Sequence, residues 1–457
     1  MCRYPCPKVL LIALCCLLAS GCSSLSTSPD YLAQADSDRQ NLVSWSELDA
    51  GSETAYLDDL VNSDDLSALI AEAREANPDL GQTLLSLEIL RAQYRATQAD
   101  QLPEVEAGFG ANKTEDIDTS YTGSISVSWE LDLWAKISDE ASAAASDVAE
   151  QLALYQAARD TLAAEVMQGW LKLVNLNRSV AIAEQRVELL EKNEQWILQR
   201  YRSGLGDLED LDSAQSSAAS ARASLFATQE SLQQQQRALN LLLGQSHGST
   251  AIATDYPQVL LPLADLADQT LQRRPDLKAA YLAIEASDFR TSVAYKEMLP
   301  SISLGAALSD TGTSPGEALL KNPVWSLLGQ LTAPLFRGGE LEANAEVAEL
   351  STARSYQAYR ETLLNAVQEV ENAIGQESSL AKQQQQIDSA LLSARRNYQQ
   401  YQQKYRNGLV SVLDLLEVQR QTFDLESQLN DLIYQRLSNR ITLGLALGLG
   451  IKETDQS

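Results

Sequence analysis

Apolar positions along the chain follow two different periods. From Leu66, the positions Leu66, Leu69, Ile70 and Ala73 recur three and four residues apart, the spacing of one helix face. Asn77-Pro78-Asp79 interrupts that face, and a second helix runs on to about Asp100. Leu102-Pro103 ends it, because proline disfavours a helical residue before it. Over 103–131 the period becomes two. Ile125, Val127, Trp129 and Leu131 alternate with Ser124, Ser126, Ser128 and Glu130, which predicts a strand with one apolar and one polar face. Val105, Ala107 and Phe109 predict its partner, with 112–121 as the turn between them. Strands of about ten residues suffice to cross a bilayer when tilted. Residues 135–202 contain no proline and one glycine, Gly169. Val180, Ala183, Val187, Leu190, Ile197 and Tyr201 there keep a heptad spacing that Glu194 breaks, so one long helix with a coiled-coil seam is expected. Its length would be roughly 100 Å at 1.5 Å per residue. A helix about half as long follows over 209–243 and closes at Leu243-Gly244.

The pattern then starts again. YRSGLGDLEDLDSAQ at 201–215 returns as YRNGLVSVLDLLEVQ at 405–419, an offset of 204 that pairs Asp210 with Asp414 and Gln215 with Gln419. Arg274-Pro275-Asp276-Leu277 matches Asn77-Pro78-Asp79-Leu80, and Leu299-Pro300 matches Leu102-Pro103, both at offset 197. Ile302, Leu304 and Ala306 alternate in a third strand; Leu327, Leu331 and Leu335 line one side of a fourth. A proline-free helix follows from 341 to about 406, with the seam Leu380, Ile387, Leu391, Ala394, Tyr398, Tyr401 and Tyr405. The last helix spans 411 to about 447 and ends near Gly448. Each half therefore reads short helix, strand, strand, long helix, turn, half-length helix: a first repeat over 66–244, a linker over 245–265 that holds the lone His247, a second repeat over 266–448 and a tail over 449–457.

Composition narrows the function. A formal charge of -27 makes nucleic acid an unfavourable partner. All five cysteines, Cys2, Cys6, Cys15, Cys16 and Cys22, fall within the first 22 residues, so packing rather than internal disulfides must hold the fold. One histidine, and no thiol beyond Cys22, leave no catalytic triad, metal cluster or cofactor site, and no enzyme is expected. Arg3 and Lys8 precede an apolar run from Val9 to Ala19, the form of a secretory signal peptide over 1–21. Leu18-Ala19-Ser20-Gly21-Cys22 looks like a bacterial lipobox, which would make Cys22 the lipidated first residue of the mature chain; in lipoproteins of this type Ser23 implies sorting to the outer membrane. Residues 22–65 are polar and acidic and are expected to form an extended, lipid-anchored tether.

The fold class is α+β: mostly a long-helix α-barrel, with four strands per chain. Four strands cannot stand alone in lipid, since their edges would leave backbone groups unpaired. A closed ring of copies is expected. Three copies would supply twelve strands and twelve helical columns.

Several of these motifs together resemble the TolC-type outer-membrane channels, most of all the lipoprotein (OprM-like) branch. They are Ala19-Ser20-Gly21-Cys22, Asn77-Pro78-Asp79-Leu80, Ser128-Trp129-Glu130-Leu131-Asp132-Leu133-Trp134, Arg274-Pro275-Asp276-Leu277, Pro334-Leu335-Phe336-Arg337-Gly338-Gly339 and both Tyr-Arg-x-Gly-Leu turns. Ala135 departs from the family, which often has glycine there. The resemblance implies a homotrimer with a twelve-stranded barrel in outer-membrane lipid and a helical tunnel in the periplasm. It also implies a periplasmic adaptor (membrane fusion protein) and an inner-membrane pump, usually of the resistance-nodulation-division type. The channel would conduct small molecules such as drugs passively. Alternative readings are the duct of a type I protein secretion system and a non-conducting coiled-coil lipoprotein. By the same resemblance, the turns form the periplasmic tip. Tyr201, Gly204, Leu205, Tyr405, Gly408 and Leu409 would be adaptor-docking turns; Asp414, Glu417 and Asp210 would form the periplasmic gate. Local chemistry gives a second account of some of these. Ser411-x-x-Asp414 and Asp207-x-x-Asp210 resemble helix caps, and the glycines allow left-handed turns, whereas Glu417 lies beyond cap reach.

Overall fold

The computed structural model describes residues 29–42, 56–116, 118–248, 253–262 and 271–452. The signal peptide and Cys22 lie outside them. The elements are α1 (Tyr31–Gln40), a 3-10 turn (Leu57–Leu60), α2 (Asp64–Ala76), α3 (Pro78–Ala99), β1 (Glu104–Asn112), β2 (Ser120–Leu131), α4 (Lys136–Arg202) and α5 (Leu208–Leu242). The second half follows as α6 (Pro275–Lys296), β3 (Ser301–Gly312), β4 (Val324–Thr332), α7 (Glu340–Arg406) and α8 (Val412–Ala446). The helices from α3 on repeat to the residue. α3 and α6 have 22 residues each, α4 and α7 have 67, and α5 and α8 have 35. The fourth strand ends at Thr332, so Leu335, expected on its apolar side, lies beyond it. The chain forms two compact units. One holds 29–40, 87–151 and 279–361, with all four strands; the other holds the rest, with both ends of the half-length helices.

In the strand-bearing unit the sheet order is β1-β2-β3-β4, antiparallel throughout. Residues paired directly across antiparallel strands share a face. Val105 pairs with Val127, Val127 with Ala306 and Ala306 with Leu327. Carrying this register along puts Phe109, Ile125, Trp129, Leu304, Trp325 and Leu331 on that same face, and each of them is exposed. The opposite face carries Glu106, Ser126, Ala307 and Ser326 in the same row. One face is thus apolar across four strands although none of the described residues covers it. Indole N–H groups fix the ends of the sheet: Trp129 donates to the Gln101 carbonyl at 3.1 Å and Trp134 to the Pro300 carbonyl at 2.6 Å. Ala135 then takes φ 58°, a left-handed conformation that costs any residue with a Cβ roughly 1–2 kcal/mol. This accounts for glycine being common at that corner.

The tether expected over 22–65 is not extended throughout. Tyr31–Gln40 is helical and Leu57–Leu60 is a 3-10 turn. The sequence of α1 carries no apolar stripe, and its order comes from its partners. Ala35 is fully buried, its carbonyl accepts from the Tyr359 hydroxyl at 3.3 Å, and Asp38 accepts from the Tyr356 hydroxyl at 2.8 Å. Burial beside Asp36 and Asp38 pushes the Tyr359 hydroxyl up to about 12. Leu57 and Leu60 enter the core of the other unit with Met167, Leu171, Leu239 and Ile441.

The two repeats close in the same way in that unit. Asn77 donates its side-chain amide to the Leu242 carbonyl at 2.9 Å, and Arg274 donates its guanidinium to the Ala446 carbonyl at 3.1 Å. In each repeat the residue before the proline therefore satisfies an orphan carbonyl at the end of the half-length helix. Arg274 is 8% exposed and also pairs with Asp276 at 2.7 Å and Glu369 at 2.8 Å, which keep its pKa raised against the opposing effect of burial.

The two helix turns as candidate functional site

Both Tyr-Arg-x-Gly-Leu turns end a long helix with the same motif. In the first, the Leu205 N–H reaches the Arg200 carbonyl at 2.9 Å and the Gly204 N–H reaches Tyr201 at 3.0 Å. In the second, Leu409 reaches Lys404 at 2.9 Å and Gly408 reaches Tyr405 at 3.0 Å. These are paired six-to-one and five-to-two bonds that use up the last helical carbonyls. Gly204 and Gly408 sit at φ 71° and 70°, and a Cβ on either would meet nothing within 4 Å. The glycines are needed for the backbone conformation, and the space around them stays open. Leu205 and Leu409 follow, 70% and 72% exposed, with Leu208 and Leu413 also exposed. Each turn thus presents apolar side chains to solvent at the point where the backbone is fully satisfied.

The next helix starts on a side-chain cap in both cases. Asp207 accepts from the Asp210 N–H at 2.8 Å. Ser411 forms a full capping box: its Oγ accepts from the Asp414 N–H at 3.2 Å, while Oδ2 of Asp414 accepts from the Ser411 N–H at 3.0 Å and from its hydroxyl at 2.6 Å. Those bonds to Ser411 hold the Asp414 carboxyl below the usual aspartate value of 3.8, so it stays charged well into acid. Asp210 moves the opposite way: burial raises it, Asp207 adds to that, and Arg200 opposes it.

Beneath the turns, Ile197, Leu211, Ala214, Tyr405, Val412 and Leu415 form one core. Tyr405 is buried, edge-on to Trp196 at 5.0 Å, and Arg200 lies over both rings. Arg200 also donates to the Leu205 carbonyl at 3.1 Å, joining the first turn to the tyrosine of the second. Tyr201, the repeat partner of Tyr405, stays 41% exposed. Equal positions in the repeat thus have unequal surroundings.

Glu417 is not a free carboxylate. Arg420 holds it at both oxygens, at 3.0 and 2.6 Å, and this pair keeps the Glu417 pKa low. Arg420 also meets Asp424 at 3.0 Å, and Asp424 meets Arg186 at 3.4 Å. Two acids and two arginines alternate here and sum to zero charge. Among the described residues Asp414 has no cationic partner, so of the two candidate gate acids on α8 it carries the uncompensated charge. Glu417 lies beyond cap reach, and a glutamate three residues before an arginine on a helix is the sequence signal for this ion pair. Among the described residues, no group of histidine, cysteine, aspartate and glutamate is arranged to hold a metal ion, and no helix is long and apolar enough to cross a membrane.

The family model "Outer membrane efflux protein" matches residues 69–245 and 266–449. These bounds follow the two repeats read from the sequence. Cation efflux system protein CusC of Escherichia coli strain K12 is 29% identical over 463 residues, covering 96% of this chain and 99% of that one. Outer membrane protein OprJ of Pseudomonas aeruginosa is 30% identical over 438 residues, 90% of each chain. A crystal structure of CusC superposes with a TM-score of 0.80 at 26% identity, over 93% of this chain and 100% of that one. The family model covers most of the chain, and the relatives cover nearly all of it. The chain belongs to the outer membrane efflux protein family and is an outer-membrane efflux channel.

Proposed function

We propose that three copies of the chain close a twelve-stranded barrel in the outer membrane and carry small molecules outward, passively, from a periplasmic adaptor and an inner-membrane pump. One observation carries this reading. A four-stranded sheet with a continuous exposed apolar face has two open edges, at β1 and β4, and such a sheet is compatible with lipid only when other strands complete it. Energy comes from the pump, and so does the choice of cargo: the names of the relatives range over cation efflux, pyoverdine export and toluene efflux, which fits a duct that does not select its cargo by itself. A pump of the resistance-nodulation-division type is the expected partner. Cys22 would carry the lipid. The exposed leucines of the two turns, Leu205 and Leu409, would meet the adaptor, with Tyr201, Gly204, Tyr405 and Gly408 shaping the turns that present them. The purified protein should form discrete, ohmic channels in a planar bilayer, and a strain lacking the gene should become sensitive to pump substrates while its protein secretion is unchanged. Absence of conductance would leave a coiled-coil lipoprotein; loss of a secreted protein alone would make it a secretion duct.

The gate reading rests on Asp414 first, then on Asp210 and Glu417. Three copies of an uncompensated carboxylate around an axis favour cations. Asp414→Asn keeps an acceptor for the Ser411 cap and removes the charge. It should move the zero-current potential in a salt gradient toward zero, and more than Glu417→Gln, which releases Arg420 onto Asp424. Because the Ser411 bonds depress the Asp414 pKa, cation preference should persist to lower pH than an uncapped aspartate would allow. An unchanged potential in Asp414→Asn would remove the residue from the gate.

A further inference from the structure

Contacts inside the chain repeat with the sequence. Glu191 on α4 pairs with Arg222 on α5 at 3.2 Å; 204 residues on, Arg395 on α7 pairs with Glu426 on α8, through Nε at 3.1 Å. The positions are the same and the charges are swapped. With this contact the helices pack as two pairs, α4 with α5 and α7 with α8. α5 packs on α4 through Ala218, Ala221, Val187 and Leu190. α4 meets α8 where Asn193 donates to Oε1 of Gln419 at 3.1 Å. α8 meets α7 through Glu426. The two pairs also meet beneath the turns, where α5 touches α8 and Tyr405 of α7 reaches Trp196 of α4, and one flank of α5 and one of α7 stay outermost.

Moving one repeat along the chain turns α4 into α7 and α5 into α8. The α5–α4 contact becomes the α8–α7 contact, as observed. The α4–α8 contact has no such image within the chain, because a third repeat would be needed to supply it. Yet the residues for it are present. Asn397 lies 204 residues after Asn193, and Gln215 lies 204 residues before Gln419. Both are exposed, and they make no hydrogen bond to each other, whereas Gln419 is 2% exposed. A side-chain amide pair present in both halves but hydrogen-bonded in only one marks an unfilled contact.

We infer that the α7 flank takes α5 of a second copy of this chain, with Asn397 hydrogen-bonded to Gln215 of the partner subunit. This rests on the trimer reading, and it names the seam: three Asn193–Gln419 ties within chains would alternate with three Asn397–Gln215 ties between them at one level of the ring. Near the turns, the same shift that relates Arg200 over Tyr405 puts Lys404 toward Tyr201 of the partner subunit, which explains why Tyr201 is exposed in the single chain.

The test uses the full-length protein in its own membrane. Two side chains joined through an amide hydrogen bond hold their Cα atoms too far apart for a direct disulfide, whose limit is about 7 Å, so a short bis-methanethiosulfonate reagent is used. Gln215→Cys with Asn397→Cys should give two- and three-chain bands on a reducing-agent-free gel, abolished by reductant. Asn193→Cys with Gln419→Cys should cross-link only within one chain. Each single variant and the parent, whose one cysteine after processing is the lipidated Cys22 with its sulfur in a thioether, should stay at one chain. A lysine-reactive cross-linker is run on the same membranes. If it yields trimers while Gln215→Cys with Asn397→Cys stays monomeric, the seam is wrong and the trimer stands, and an adaptor helix becomes the occupant of that flank. If it yields no trimers, the trimer reading itself fails.

Discussion

Glu377→Ala should cost about 3 kcal/mol of stability, the lower end of what breaking a buried ion pair removes. Glu377 is 4% exposed, and one of its oxygens accepts from Arg436 Nε at 2.9 Å and from Arg440 Nε and Nη2 at 3.2 and 2.9 Å. Both arginines work beyond the pair. Arg436 donates to Gln384 at 3.1 Å, and Arg440 donates to the Val259 carbonyl at 2.6 Å, which ties the linker between the repeats to α8. Removing the carboxylate leaves two guanidiniums with little water and no counter-charge. They are not fully buried, 27% and 17% exposed, so rotation toward solvent recovers part of the loss and sets the estimate at the lower end. Glu377→Gln keeps an acceptor of the same shape and should lose only about 1–2 kcal/mol. Denaturant unfolding followed by fluorescence, with the buried Trp170 as one reporter, measures both. A Glu377→Ala protein within 1 kcal/mol of the parent would show that the arginines find water freely and that the cluster does not hold the linker.

Gly244→Ala should be about twice as damaging as Gly408→Ala, although both glycines end a helix with the same hydrogen-bond motif at φ near 70°. At Gly408 a Cβ meets open space, so the cost is the left-handed conformation alone, roughly 1–2 kcal/mol. At Gly244 a Cβ would stand 2.2 Å from the Ala76 carbonyl oxygen, a backbone atom at the end of α2 that cannot swing aside. Overpacking of this kind adds about 1–3 kcal/mol. It would also push α2 away from the Asn77 contact that caps α5. Thermal unfolding of the two variants gives the comparison. Equal losses would mean that α2 yields at no cost and that the repeat closure is softer than its hydrogen bonds imply.

The contrast shows what could be read in advance. That Gly204, Gly244, Gly408 and Gly448 close helices is legible from sequence, because the left-handed turn is a local property of four or five residues. What each glycine rests against is not, since the neighbour of Gly244 lies 168 residues earlier in the chain. The same divide runs through the candidate site. Ser411 and Asp414 are three residues apart, and their cap could be read from that spacing. Glu417 and Arg420 are also three residues apart, but only the side-chain rotamers show that Arg420 takes both carboxylate oxygens and leaves Asp414 as the uncompensated candidate acid of α8. Arg200, which binds the rings of Trp196 and Tyr405, had no signal in the pattern at all, as its partner sits 205 residues away.

By itself the sequence determined the periods, the repeat and its lengths. Helix and strand periods are set by backbone geometry, and an offset of 197 residues before the strands and 204 after them appears where the two halves share a local code. It determined the alternation in β2, and with it the prospect of an apolar sheet face. Only the tertiary structure decided that the apolar faces of all four strands coincide, because register is fixed by pairing between strands that are up to about two hundred residues apart. Only it decided that the polar segment Tyr31–Gln40 is a helix, since the hydroxyls of Tyr356 and Tyr359 that hold it lie more than three hundred residues downstream. And only it separated Gln419, buried against Asn193, from Gln215, left exposed. The residues are the same in both repeats; one chain has two repeats, and a contact between successive repeats can be made inside it only once.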